Sequence, residues 1–123
     1  MSEELKIGPT DDTPSVAFEK SGNLELKGRS LPEDAFSFYI PVIEWLVEYS
    51  KAPAAATTFV FNLEYFNTAS AKQIFKIAGL LTALSQNNKV VIKWHYDEGD
   101  RDMHSSGERF SKLCGIGFDL IKN

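Results

Sequence analysis

The run Thr57-Thr58-Phe59-Val60-Phe61-Asn62-Leu63-Glu64-Tyr65-Phe66-Asn67-Thr68-Ala69-Ser70-Ala71-Lys72 changes its hydrophobic period midway. Up to Phe66 the period is two. This predicts a strand with Phe59, Phe61, Leu63 and Tyr65 on one face and Val60, Asn62, Glu64 and Phe66 on the other. Past Asn67-Thr68 the apolar positions Ala71, Ile74, Ile77, Ala78, Leu81 and Leu84 fall on one stripe of a helix that Asn87-Asn88 ends. A central strand running directly into an amphipathic helix is the repeating unit of an α/β fold.

The same alternation continues on both sides. Upstream, Gly28-Arg29-Ser30-Leu31-Pro32-Glu33 reads as a helix start, with Ser30 as cap, Glu33 completing a capping box and Pro32 in the first turn. Ala35, Tyr39, Val42, Leu46 and Tyr49 form the inward stripe of that helix, and Pro41 removes one backbone donor within it. Phe36, Ile40, Ile43 and Val47 widen the apolar arc past half the circumference, and Phe38 and Trp45 extend its other edge, which is more than a sheet alone covers. Before the helix, Ser15 to Lys20 and Asn23 to Lys27 flank Ser21-Gly22 as a β-hairpin with one wet face, and Leu5 to Thr10 reads as a short strand. Downstream come a strand from Lys89 to Tyr96, an acidic loop, a third helix from Arg101 or Asp102, and an edge strand from Phe118 to Lys122. The expected architecture is one α/β domain over residues 1–123: a two-layer sandwich of a mixed sheet, an N-terminal hairpin and about three helices.

Composition excludes several functions. In 123 residues the formal charge is −4, which disfavours a nucleic-acid backbone as partner because such binding needs Lys and Arg to displace counterions. A single cysteine, Cys114, can form no internal disulfide and points to a reducing, cytoplasmic setting. The stretch Met1-Ser2-Glu3-Glu4-Leu5-Lys6 lacks the basic and apolar regions of a secretory signal, and no apolar run is long enough to insert in a membrane.

Catalytic motifs are absent. Gly115-Ile116-Gly117 lacks the third glycine and following helix of a dinucleotide site, and no phosphate-cradling loop occurs, so neither a catalytic residue nor a cofactor is expected. His95, Asp97, Glu98, Asp100, Asp102 and His104 form the strongest metal-like cluster, and a small metal-assisted hydrolase using His95, Asp97, Asp100 and His104 is the enzymatic alternative. Their spacing fits neither an EF-hand nor a HExxH helix, and Arg101 puts a positive charge among them, so a solvated acidic turn is expected and no metal. A second alternative is a structural adaptor docking through Phe38 and Trp45, which could equally lie in the core beneath the hairpin.

The strand-to-helix junction is the more informative feature. A helix start presents unpaired N–H groups and a partial positive charge, which favour a phosphate by about 1 kcal/mol. With Thr68 at the origin and 100° per residue, Ser70 falls near ~200°, within the inward stripe. Thr68 shares the outer face with Lys72, Phe75, Gly79 and Thr82, where a kinase could reach it. Asn67 and Thr68 are also ordinary helix caps, so a capping role stands beside the switch.

Several segments together resemble the SiaC-type regulatory phosphoproteins of bacteria: Gly28-Arg29-Ser30-Leu31-Pro32-Glu33-Asp34-Ala35, Phe38-Tyr39-Ile40-Pro41 with Trp45-Leu46 and Tyr49, and above all Leu63-Glu64-Tyr65-Phe66-Asn67-Thr68-Ala69-Ser70. Trp94-His95-Tyr96-Asp97-Glu98, Asp102-Met103 and Gly107-Glu108 continue the likeness, which covers the chain from about residue 15 onward. The resemblance implies a fold similar to STAS domains, the class that contains anti-sigma-factor antagonists, and a non-enzymatic role in partner switching. It further implies a serine/threonine kinase that phosphorylates Thr68 and a PP2C-type phosphatase that reverses it. The unmodified form would bind and activate a diguanylate cyclase, raising cyclic-di-GMP and favouring biofilm. The expected partner surface is Asn67, Thr68, Ala69, Lys72 and Phe75. In this chain the acidic loop is broken by Gly99 and Arg101, where the family tends to be more uniformly acidic.

Overall fold

The computed structural model describes residues 4–123, so the first three residues of the amino-terminal stretch read above lie outside the described residues. Six strands and three helices follow in the order β1 (Glu4–Ile7), β2 (Ser15–Glu19), β3 (Asn23–Ser30), α1 (Ala35–Lys51), β4 (Ala56–Phe66), α2 (Thr68–Leu84), β5 (Lys89–Tyr96), α3 (Arg101–Cys114) and β6 (Phe118–Lys122). Their order in the sheet is their order in the chain. β1, β2 and β3 pair antiparallel, and β3 to β6 pair parallel through one helix each, which makes the sheet mixed.

Right-handed crossovers that always step the same way along a sheet place their helices on one face. That face carries the core: Val16, Phe18, Leu24, Leu26, Phe59, Phe61, Leu63, Ile92 and Trp94 are buried beneath Tyr39, Val42, Leu46, Ile74, Ile77 and Leu81 of the helices. On the opposite face Glu25, Val60, Lys93 and Asp119 stay at least partly open to water. The two-layer α/β sandwich with a mixed sheet and hairpin is therefore as expected, and the short first strand ends at Ile7, ahead of Gly8-Pro9.

Two local readings are corrected. Ser30 does not cap α1. It is the last residue of β3, fully buried, and its carbonyl accepts the Asn67 N–H at 3.0 Å. The cap is Asp34, whose carboxylate accepts from the Ser37 N–H at 3.1 Å and the Ser37 hydroxyl at 2.7 Å. These two bonds, the hydroxyl first, hold its carboxyl below the usual range. The strand runs on past Lys27 because β3 finds a parallel partner in β4 as far as Phe66, so the capping-box residues arrive too early.

The second correction concerns the end of β4. Leu63 pairs with Gly28 and Tyr65 pairs with Arg29, which leaves Glu64 as an extra residue in a β-bulge. One inserted residue exchanges the two faces beyond it. Tyr65 is consequently 55% exposed instead of inward, and Phe66 turns toward the core against Trp94 and Phe110, with ring centroids 6.2 and 6.1 Å away.

Buried hydroxyls tie the three elements that meet at this corner. Ser30 Oγ lies 2.7 Å from the Tyr39 hydroxyl and donates to Ser70 Oγ at 2.8 Å, and Ser70 Oγ donates to the Ser30 carbonyl at 3.1 Å. Burial pushes the Tyr39 hydroxyl up to about 12 from its ordinary value of 10.0, although its bond with Ser30 pulls the other way. A proton held more tightly in the folded state contributes stability that is complete below the unfolded pKa and is lost as pH rises through the folded one. Stability should accordingly fall between pH 10.0 and about 12. Tyr39→Phe should remove that alkaline step and cost about 1–2 kcal/mol at neutral pH, read by urea unfolding across pH.

Candidate functional site

The candidate site is the junction of β4 and α2. Asn67 has extended backbone geometry, φ −85° and ψ 174°, and its Oδ1 accepts from the Ser70 N–H at 2.8 Å. Its carbonyl accepts from the Ala71 N–H at 2.9 Å, and its Nδ2 donates to the Pro32 carbonyl at 3.4 Å. Asn67 is therefore the helix cap, and Thr68 is the first helical residue. Removing the cap by Asn67→Ala should cost about 1 kcal/mol or slightly more, seen as a lower urea midpoint with an unchanged slope.

With capping assigned to Asn67, the Thr68 hydroxyl has no structural duty. It is exposed and makes no hydrogen bond among the described residues. Ser70, two residues on, is fully buried. Ala69 and Lys72 are exposed, Phe75 is 44% exposed, and Asn67 is half-buried. Lys72 follows Thr68 by one helical turn and has no carboxylate partner among the described residues. The N–H groups of Thr68 and Ala69, at the positive end of the helix dipole, have no hydrogen-bond partner among the described residues. Chemically the corner combines a free hydroxyl, two free donors, a free cation and an exposed aromatic ring.

The residues of the metal-like cluster do not converge. Among the described residues no group of three or more His, Cys, Asp or Glu is placed to hold a metal ion. His95 Nδ1 is 2.9 Å from Asn123 Oδ1, and Asp97 accepts from Asn123 Nδ2 at 2.9 Å. Asp100 is the cap of α3, accepting from the Met103 N–H at 3.0 Å. His104 stands edge-on to Tyr96 at 4.8 Å and 3.4 Å from Glu108. His95 and Asp97 meet only through Asn123, and Asp100 and His104 are engaged elsewhere. Cys114 is half-buried, and burial pushes its thiol up, away from thiolate chemistry.

Phe38 and Trp45 are half-buried and pack with the core: Trp45 lies 5.2 Å from Phe18 and is stacked on Tyr49 at 5.1 Å, while Phe38 meets Tyr39 at 4.9 Å. The apolar residues α1 leaves exposed are Phe36, Ile40 and Val47. The sequence carried that signal in the excess width of the apolar arc, but it could not say which edge the hairpin would cover. No described helix is long and apolar enough to cross a membrane.

The comparisons with known proteins agree with this picture. The sequence falls in a family of regulatory phosphoproteins, whose model matches residues 7–123. The chain belongs to the SiaC family. The crystal structure of apo-SiaC from Pseudomonas aeruginosa is 29% identical and superposes with a TM-score of 0.88 over 98% of this chain and 99% of that one. A second, of the diguanylate cyclase SiaD in complex with its activator SiaC from the same organism, matches at 27% identity and a TM-score of 0.90, covering 97% and 99%. An uncharacterized protein of Pseudomonas aeruginosa strain UCBPP-PA14 is 28% identical over 95% of this chain and 94% of its own length.

Proposed function

We propose that this chain is a non-enzymatic switch whose unmodified form binds and activates a diguanylate cyclase in the cytoplasm. In this reading a serine/threonine kinase ends that binding by phosphorylating Thr68, and a PP2C-type phosphatase restores it. The observation that carries the reading is the Thr68 hydroxyl itself, exposed and unpartnered in the first turn of α2 while the neighbouring Ser70 is sealed inside. The relative whose structure was solved with a cyclase, described there as that enzyme's activator, supports the choice of partner.

The geometry supplies a mechanism. A phosphate on Thr68 adds nearly two negative charges beside the N-terminus of α2 and one turn from Lys72. Both features favour the anion, so the modified protein stays folded. A partner packed on Thr68, Ala69, Lys72 and Phe75 would have to bury that charge, and the signal is read at the contact. Intact-mass analysis of the protein from its native cell, before and after treatment with a PP2C-type phosphatase, tests the assignment. The expected result is one removable phosphate mapped to Thr68, and a phosphate at another residue or none under any growth condition would overturn it.

A further inference from the structure

Each of the three described helices is capped by a side chain that accepts the N–H three residues on, and the choice of side chain divides them. α1 is capped by the Asp34 carboxylate, which accepts from the Ser37 N–H at 3.1 Å. α3 is capped by the Asp100 carboxylate, which accepts from the Met103 N–H at 3.0 Å, and Asp102 adds a second negative charge in its first turn. α2 is capped by the neutral Asn67 amide, which accepts from the Ser70 N–H at 2.8 Å, and its first turn holds no acidic residue. From Thr68 to Leu84 the only charged side chains are Lys72 and Lys76. Aspartate and asparagine cap about equally well, and a carboxylate gains further from the positive end of the helix dipole. Stability alone favours aspartate at all three starts, and the chain uses it at two.

Two features of the junction bear on the exception. The first is structural. The Asn67 amide has a second end, and its Nδ2 donates to the Pro32 carbonyl at 3.4 Å, a bond that a carboxylate cannot make. That distance is long for such a bond, and the residue is already tied to β3 by its backbone N–H, which donates to the Ser30 carbonyl at 3.0 Å. The second is electrostatic. Thr68 follows the cap directly, its hydroxyl is exposed and makes no hydrogen bond among the described residues, and Lys72 stands one turn further on. A carboxylate at position 67 would place a permanent negative charge at the helix end where a phosphate on Thr68 would bring its own. Asp34 shows that a capping carboxylate of this chain is held ionised, since its bonds with the Ser37 hydroxyl and N–H keep its carboxyl below the usual range.

We propose that the neutral amide of Asn67 sets the contrast of the switch: it fixes the first turn of α2 as a carboxylate would, while leaving that turn free of negative charge until Thr68 is phosphorylated. The proposal rests on the reading of Thr68 given above. It adds a specificity-determining neighbour that acts through Thr68 and is not itself modified. With a carboxylate in its place the unmodified chain would already carry part of the signal, and a phosphate arriving beside it would meet a like charge.

The test is a cycle of thermal melts on the full chain at low salt. Wild type, Asn67→Asp and Asn67→Ser are each compared with and without genetically encoded phosphothreonine at position 68, so no kinase is needed. In wild type the phosphate should raise the melting temperature by roughly 2–4 °C. In Asn67→Asp the rise should fall below half of that, and the deficit should shrink in about 1 M salt, where charges are screened within about 3 Å. In Asn67→Ser, which keeps a neutral cap and gives up the Pro32 contact, the full rise should return. Without any phosphate, Asn67→Asp should bind a SiaD-type diguanylate cyclase about tenfold more weakly than wild type, and Asn67→Ser should bind as wild type does. A rise in Asn67→Asp as large as in wild type, no rise in wild type, or wild-type cyclase affinity in unphosphorylated Asn67→Asp would overturn the proposal. An equal deficit in Asn67→Ser would also overturn it, by assigning Asn67 to the Pro32 contact alone. The cyclase affinity of phosphorylated wild type answers separately for Thr68. If it equals that of the unmodified chain, the switch falls and the signalling role of Asn67 falls with it. If it drops while the melts show no coupling, the switch stands and the role of Asn67 alone is withdrawn.

Discussion

Thr68→Asp should fold as wild type does and bind the diguanylate cyclase about a hundredfold more weakly, and the stoichiometrically phosphorylated protein should bind more weakly still. Burying one uncompensated charge in a contact costs several kcal/mol, and each 1.4 kcal/mol is a factor of about ten in affinity. The free protein escapes this penalty because Thr68 is exposed and lies at the positive end of α2. Thr68→Ala separates charge from shape. The cap belongs to Asn67, whose side chain holds the Ser70 N–H, so losing the Thr68 hydroxyl removes no bond from the folded state. Thr68→Ala should therefore keep both stability and cyclase binding, and should no longer respond to the kinase. Calorimetric titration of wild type, Thr68→Asp, Thr68→Ala and the phosphorylated protein against the cyclase, with thermal melts of each, decides the matter. Equal affinities for wild type, Thr68→Asp and phosphoprotein would leave the switch without a basis.

Gly107→Ala should be the more damaging change to the fold. A Cβ built at Gly107 would stand 2.5 Å from Trp94 Cδ1 and 2.8 Å from a Leu120 methyl carbon. The indole cannot give way: Trp94 is fully buried, its Nε1 donates to the Met103 carbonyl at 2.9 Å, and Phe61 and Phe110 flank it at 5.2 and 5.6 Å. Overpacking of this kind costs about 3 kcal/mol or more, and alanine returns only about 1 kcal/mol of helix propensity. The net loss of about 2 kcal/mol should lower the melting temperature by roughly 8–10 °C. Gly79, in α2, has no atom within 4 Å of a built Cβ, so Gly79→Ala should be neutral or stabilising by up to about 1 kcal/mol and serves as the control.

The contrast between these glycines shows what periodicity can and cannot convey. Strand β5 and the helix start at Thr68 were legible because alternation and a strong cap residue act within a few positions of each other. The mixed sheet followed from the alternation of elements, although its strictly sequential strand order did not. Ser30 misled because its companions Pro32 and Glu33 form a good local start signal, while a parallel strand 36 positions further on extends β3 and buries the hydroxyl. Tyr65 misled for the same kind of reason, since a bulge depends on pairing between strands and leaves no trace in the alternation of one of them. At the site, the exposure of Thr68 and the burial of Ser70 could be read from helical angles alone.

The unpaired Glu64 also bears on how such proteins diversify. Deleting Glu64 would bring Leu63 and Tyr65 into regular pairing with Gly28 and Arg29, so the tyrosine would still face out and the phenylalanine in, and only the local kink would be lost. Chain length at this point and the presentation of the junction are thus separable: a related chain one residue shorter here would show the same faces to α2.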